Sequence, residues 1–351
     1  MELDELRDEI AKRDREIVRL IAERTKLARE VGRIKLREGK PIRNVQVEEK
    51  VIARYTELSS ENGLDPSAMK DIALSVIRQA VDAESALVSA QEPRRISVIG
   101  GAGKMGAWTA SLFRASGHDV RVIDPASGNG FTVKDCADSD IIVISVPIHA
   151  VEKVLKEVDG VAKKDALIFD LSSLKTPFIS ALREMATRRK MCSIHPMFGP
   201  SAKSMYNRNL IICDCGCKEA VDDVKELFDN RGGNIRIMPV EEHDGYMSYV
   251  LGLTHAVNIA LFTVLDRSGH PFSDLKTVSS TTFEKGLDTN RSVAMEDPLL
   301  YYEIQHMNGS KDKMWSLFSD AVKDLMEASK DDDSSKFVAI MNNGRAFFEG
   351  Q

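Results

Sequence analysis

The apolar positions change their period twice along the chain, and the changes divide it. From residue 3 to residue 36, Leu3, Leu6, Ile10, Ile17, Leu20, Ile21, Leu27, Val31 and Ile34 recur at intervals of three and four with charged side chains elsewhere, the period of an amphipathic helix. Gly39 and Pro41 break that run. A second helical pattern covers about Val47 to Leu58, Asn62-Gly63 turns the chain, and a third runs from about Pro66 to Val88. A helix of more than thirty residues cannot bury its apolar stripe inside a three-helix monomer, so the pattern predicts pairing with a second copy, a homodimer.

At Gln91-Glu92-Pro93-Arg94-Arg95 the helical period stops. The short apolar runs Ile96 to Ile99, Val120 to Ile123 and Ile141 to Val146 then alternate with helical segments, the pattern of a parallel α/β sheet. From roughly Val240 strands give way to helices punctuated by Pro271 and Pro298. The expected fold is multidomain: an all-α domain over 1–91, an α/β domain over 95–238 and an all-α C-terminal domain over 239–351.

Composition narrows the function classes. The 351 residues are 43% hydrophobic and 29% charged, a globular balance, and carry a net charge of −6. That charge argues against nucleic acid as a partner, and any anionic ligand must be met by local positive charge. The start, MELDELRDEI, has no apolar core of a secretory signal, which predicts a cytoplasmic protein. The most apolar stretch, Tyr249 to Leu265, is interrupted by His255 and Asn258 and is shorter than the roughly 20 residues of a bilayer span, so a core or interface helix is expected and no membrane. Cys213, Cys215 and Cys217 alternate after Leu210-Ile211-Ile212 without a second ligand pair, and no metal is expected.

The candidate chemistry lies in two places. On the first helix Arg24 and Lys35 are three turns apart and share a face about 16 Å long, whereas Arg7 lies roughly 100° away around the axis and should serve another pocket, such as one completed by a partner chain. In the α/β domain a predicted strand leads into Gly100-Gly101-Ala102-Gly103-Lys104-Met105-Gly106, a helix follows, and the next strand ends in Asp124. This is the context of a Rossmann-type dinucleotide-binding domain: Gly101 for the tight turn, Gly103 for close approach to pyrophosphate, Gly106 for helix–sheet contact and Asp124 for the ribose hydroxyls. An Asp followed by Pro125 disfavours a 2′-phosphate, so NAD is the expected cofactor. His195 stands at the end of a predicted strand, where open α/β sheets put their ligands, and a neutral histidine suits proton removal during hydride transfer.

Two resemblances add to this. Leu6-Arg7-Asp8-Glu9-Ile10, Ala22-Glu23-Arg24, Leu27-Ala28, Glu30-Val31-Gly32, Lys35, Pro41-Ile42-Arg43 and Glu48 resemble the helical chorismate mutase family over residues 1 to 90. The likeness implies an intertwined dimer whose sites are lined by Arg24, Lys35, Glu48 and Glu84, with Arg7 arriving from the other chain. Arginines would hold the carboxylates of chorismate, Glu48 the ring hydroxyl, and Lys35 the ether oxygen, shared with Glu84 in its protonated form. Asn44, Val47 and Ala80 stand where many members carry Asp, Arg and Ser, so some contacts are lost. Asn44 is kept as a substrate-binding position.

The glycine loop, Ser145-Val146-Pro147-Ile148-His149, Asp170 to Lys175, His195-Pro196-Met197-Phe198-Gly199-Pro200, Glu242-His243-Asp244 and Asp297 to Tyr301 resemble prephenate dehydrogenases over residues 95 to 345. The likeness implies His195 as the base for the ring hydroxyl of prephenate, with Ser145 beside it. It places Arg291 on a substrate carboxylate with Arg267 as the alternative, His255 and His243 toward substrate, and Lys104, Met105, Pro147 and Lys175 at the cofactor. It makes the last domain a dimerisation domain. The expected function is bifunctional, chorismate to prephenate and then NAD-dependent oxidative decarboxylation to 4-hydroxyphenylpyruvate, with tyrosine as a candidate effector. The alternative is an arogenate dehydrogenase whose mutase-like domain only dimerises or senses an effector.

Overall fold

The computed structural model describes residues 2–89 and 92–350, so the expected junction at Gln91 lies outside the described residues. Three helices come first. α1 (Leu3–Arg37) starts at a capping box between Glu2 and Glu5, α2 (Val45–Glu61) is capped by Asn44, and α3 (Pro66–Ser85) by Asp65 with Pro66 in its first turn. α3 stops three residues before the predicted end, where the bonding tightens to three-residue steps, the carbonyls of Glu84 and Ser85 accepting from the N–H groups of Leu87 and Val88.

Burial is uneven among the three. α3 buries Ala73, Val76, Ile77, Ala80, Val81, Ala83 and Glu84, whereas α1 buries only Thr25 and Gly32. Gly32 lets α1 close on α3: a Cβ there would sit 3.1 Å from Glu84 and Leu87. The apolar stripe of α1 stays exposed, with Ile10 at 61% and Leu27 at 68%.

Seven strands follow in one sheet of order β2-β1-β3-β4-β5-β6-β7. β1 (Arg95–Ile99), β2 (Asp119–Ile123), β3 (Ile141–Ile144), β4 (Leu167–Asp170) and β5 (Lys190–Pro196) are parallel. β6 (Asn209–Asp214) runs against β5, and β7 (Asn234–Pro239) runs with β6. The intervening helices are α4 (Lys104–Ala115), α5 (Ile148–Val161), α6 (Ile179–Ala186) and α7 (Lys218–Phe228). β1, β3 and β4 are nearly continuous Ile/Val/Leu/Phe runs because both faces of a parallel sheet are covered. Phe113, Phe169 and Phe228 meet in this core at centroid distances of 5.8 and 6.3 Å.

The chain forms two compact units: residues 1–146, 150–172 and 180–239, and residues 147–149, 173–179 and 240–351. The mutase-like helices and the sheet thus share the first unit. Ile42, 1% exposed, packs with Ile77, Val81 and Tyr206, and its N–H donates to Asn230 Oδ1 at 3.1 Å. Arg43 donates to Asn234 (2.7 Å) and Asn207 (3.3 Å) and lies over the Tyr206 ring. Asn207 and Asn230 are the non-glycine residues with positive φ among the described residues, at 53° and 59°, a conformation asparagine tolerates better than most.

The second unit is helical. α8 (Val240–Met247), a π-type segment Ser248–Leu253 and α9 (Thr254–Arg267) form one helix of 28 residues. By length and composition this longer helix could cross a membrane, a test that a core helix also passes. The helix continues α8 without a break, and His243, Asp244, His255 and Asn258 lie along it. α10 (Phe272–Thr277), α11 (Thr281–Ala294), α12 (Pro298–Met307), α13 (Lys311–Ala328) and α14 (Ser335–Glu349) complete the unit.

Candidate functional sites

Arg24, Lys35, Lys40, Asn44, Ala80 and Glu84 line a cavity of about 470 Å³ with Leu27, Val31 and Val47. Lys35 Nζ donates to Glu84 Oε2 at 2.7 Å and to the Ile42 carbonyl at 2.6 Å, and Arg24 donates to the Val76 carbonyl at 3.2 Å. Three cations face the space and one carboxylate does, so an anionic ligand would be favoured there. Asn44 contributes less than its position suggests, because its side-chain oxygen accepts from the Val47 N–H as the cap of α2.

Glu48 corrects a sequence expectation, since it does not line this cavity. Its carboxylate receives both Nε (3.0 Å) and an Nη (3.3 Å) of Arg43 and accepts from the Tyr206 hydroxyl at 3.4 Å. A bidentate guanidinium outcompetes an empty cavity as a partner, and Arg43 is itself tied to the sheet domain. Arg7 is also outside the cavity, two-thirds exposed and paired with Asp4.

In the glycine loop the strained backbone is at Gly100, φ +77°, not at Gly101. A Cβ on Gly100 would stand 2.2 Å from the Ser145 carbonyl, and one on Gly106 2.3 Å from the Gly100 carbonyl, so both contacts demand glycine. Gly101 lies in the same turn, where a Cβ would stand 2.8 Å from Val98 O and 2.9 Å from Val122. Gly103 caps α4 and puts no side chain over its N-terminus, where Lys104 and Met105 begin the helix. Asp124 binds the loop: its carboxylate accepts from the N–H of Ala102 at 3.1 Å and of Ala126 at 2.8 Å. Ser145 directly follows β3 and His195, 5% exposed, is the penultimate residue of β5, both at the carboxyl ends of parallel strands.

In the second unit the central group is Asp244, which sequence reasoning quoted only as part of a motif. It accepts from the N–H of Lys175 (2.9 and 3.0 Å) and from the N–H and hydroxyl of Thr176 (2.7 and 2.5 Å). His243 Nδ1–H donates to it at 2.7 Å. Burial acts to raise the Asp244 carboxyl, but hydrogen bonds from His243 and Thr176 outweigh it and hold it below its ordinary range. His243 is fully buried, with its ring paired to Asp244. Lys175 is likewise sealed in, and Pro147 is exposed. Glu303, also unforeseen, is buried and accepts from the N–H of Ile148 at 3.1 Å and from His149 Nδ1.

His255 stacks on Tyr301 with centroids 4.0 Å apart, and its Nδ1 has no hydrogen-bond partner. Burial lowers its pKa to about 4, so the ring is neutral near pH 7. Arg291 and Arg267 are exposed at the ends of α11 and α9; the buried neighbour Asn290 anchors α11 by donating to the Asn258 carbonyl at 2.6 Å. Among the described residues no group of three or more His, Cys, Asp or Glu is arranged for a metal, and Cys213 and Cys215 are buried and form no disulfide.

Comparison with known proteins identifies the parts. Residues 6–85 match chorismate mutase type II, residues 111–237 the nucleotide-binding domain of prephenate dehydrogenase and residues 239–343 its dimerization domain. The T-protein of Enterobacter agglomerans is 26% identical over 350 residues, 99% of this chain and 93% of that protein. A probable arogenate/prephenate dehydrogenase of Methanocaldococcus jannaschii is 26% identical over 270 residues, 72% of this chain and 60% of that protein. The crystal structure of Aquifex aeolicus prephenate dehydrogenase with hydroxyphenyl propionate and NAD+ shares the fold at a TM-score of 0.60 and 21% identity, covering 75% of this chain and 99% of that one. With a mutase domain and both dehydrogenase domains in one chain that aligns almost end to end with a T-protein, this chain belongs to the bifunctional chorismate mutase/prephenate dehydrogenases of tyrosine biosynthesis.

Proposed function

We propose that the two activities reside in the α1–α3 cavity and in the groups around the glycine loop and His195, within domains spanning 1–91, 95–238 and 239–351. The observation that carries this is the charge of the α1–α3 cavity, three cations against a single carboxylate that one of them already holds. Chorismate is a dianion, and its rearrangement needs no nucleophile, only a held geometry and a donor for the ether oxygen whose charge grows. Arg24 holds a carboxylate and Lys35 donates to that oxygen. Glu84, at hydrogen-bond distance from Lys35, shares it when protonated. Arg7, exposed here, serves the cavity of a second copy. Glu48 reaches the ring hydroxyl only if it leaves Arg43.

The glycine loop fits NAD: Gly100 and Gly106 have no room for a Cβ, Gly103 leaves the start of α4 uncovered, and Asp124 stands at the end of β2. NAD supplies the hydride acceptor. His195 takes the proton from the ring hydroxyl of prephenate, oriented by Ser145, and loss of the ring carboxylate as CO₂ makes the ring aromatic. Arg291, on a helix anchored by Asn290, binds a substrate carboxylate, and His255 offers a neutral ring. Lys175 supports the cofactor through the segment that Asp244 holds.

The partner is a second copy of the chain. Its support is the exposed stripe of α1, the dimerization-domain match, and exposed Val264, Val278 and Met295 in the second unit. The cytoplasm is its location, and tyrosine the effector that its place in biosynthesis implies. Feeding chorismate and NAD to the pure protein should yield CO₂, NADH and 4-hydroxyphenylpyruvate; NADH formation from arogenate but not prephenate would overturn the substrate.

A further inference from the structure

The long helix of the second unit changes its winding once. Between α8 and α9 the segment Ser248–Leu253 is wound as a π-helix, in which each N–H reaches back five residues instead of four. One such turn takes an extra residue, so everything after it is rotated by about 100° relative to an unbroken α-helix. His243 and His255 are twelve residues apart. An unbroken α-helix would put them about 120° apart around the axis; the π turn reduces the angle to about 20° and brings His255 round to the side of His243.

Side chains hold the widened segment at both ends. At its start the Ser248 hydroxyl donates to the Gly245 carbonyl at 2.8 Å, and at its end Gln305 Nε2 donates to the Gly252 carbonyl at 2.7 Å. Beyond it the Thr254 N–H bonds to the Leu251 carbonyl as the α winding resumes. Gln305 stands on α12 one turn after Tyr301, and Gly252 one turn before His255. The Gln305 hydrogen bond and the stacked rings of His255 and Tyr301, with centroids 4.0 Å apart, are therefore successive contacts between the same two helices. For stability alone the Gln305 amide is a costly choice, because its Oε1 is buried without a hydrogen-bond partner. An apolar side chain would carry no such cost, so what the amide contributes is its bond to Gly252.

We propose that Gln305 is a positioning residue of the dehydrogenase: by holding the π turn at Gly252 it fixes the ring of His255 on Tyr301, where that ring meets prephenate. The inference rests on the reading of His255 given above and adds to it how the ring is placed. Gln305 acts through His255 and not on the substrate. Without its donor the freed Gly252 carbonyl lets the turn relax toward α winding, and His255 rotates away from Tyr301.

In the full-length protein Gln305→Met keeps the length of the side chain and removes the donor. It should raise KM for prephenate about tenfold with kcat within about twofold, the pattern of lost binding. KM for NAD and the rearrangement of chorismate should not change. His255→Phe should raise the same KM at least as far, and adding Gln305→Met to it should then change KM by no more than about twofold, because both act through one ring. Proton NMR gives a reading that does not depend on activity. The Cε1–H resonance of His255, identified by its absence from His255→Phe, is shielded by the stacked Tyr301 ring and should move downfield in Gln305→Met. If Gln305→Met does not fold, Gln305→Asn, one methylene short of the Gly252 carbonyl, must show the same changes. The proposal is overturned by an unmoved resonance, by an unchanged KM in Gln305→Met where His255→Phe raises it, or by additive effects in the double variant. An unchanged KM in His255→Phe overturns the reading of His255 instead, and the resonance alone then decides whether Gln305 sets the ring.

Discussion

The α1–α3 cavity and the Asp244 cluster both contain charges away from bulk water, but they use them in opposite ways. In the cavity the cations outnumber the carboxylates, three to one, so the excess charge that Glu84 does not compensate is available to a ligand. Around Asp244 a single buried carboxylate is saturated by two backbone N–H groups, a hydroxyl and an imidazole, and nothing is left over. Incomplete pairing marks a place for substrate, whereas complete pairing marks a joint that shapes the chain.

Substitutions can separate the two kinds of charge. The largest effect is expected from His195→Asn, which should cut prephenate oxidation by about 10²–10⁴-fold while chorismate rearrangement continues. Near-normal NADH production by that variant would remove His195 from the reaction. Asp244→Ala should act on stability instead, costing about 3–5 kcal/mol because it strips the partner from buried donors. The melting temperature reads this, and a fully stable variant with lost dehydrogenase activity would reverse the distinction drawn above. Lys35→Ala should lower mutase kcat/KM by about 10²–10³-fold with dehydrogenase kcat/KM retained.

The smallest effect is a pH dependence from His255. Its folded pKa, about 4, lies below its ordinary 6.5, so the folded chain binds fewer protons there than the unfolded one. The stabilisation from its neutral ring is fully present above about pH 6.5 and is lost as pH falls through about 4, amounting to at most about 3 kcal/mol. His255→Phe keeps a ring against Tyr301 and should flatten that part of the Tm profile; identical acid profiles would show that the ring is hydrated.

Much of this was legible in the order of residues. The period of three and four from Leu3 to Ile34 identified α1, and its exposed stripe follows from the same count. The glycine loop was readable because close backbone approach leaves few alternatives to glycine, though which glycine carried the positive φ was not. Glu48 was misread because its competitor is Tyr206-backed Arg43, held in turn by Asn207 and Asn234, residues some 160 or more positions away. The partner of His243 was not legible either, because a histidine in a family motif looks the same whatever side chain it meets.

Periodicity, glycine spacing and residue type by themselves determined the three-part organisation, the dinucleotide loop and the cationic face of α1, since each depends on neighbours within a few turns of the chain. Only tertiary packing decided which charges were left unpaired, because a side chain's partner is set by burial and by competition among groups distant in sequence. That is why the α1–α3 cavity keeps an excess of cations over its one carboxylate while Asp244 is closed in.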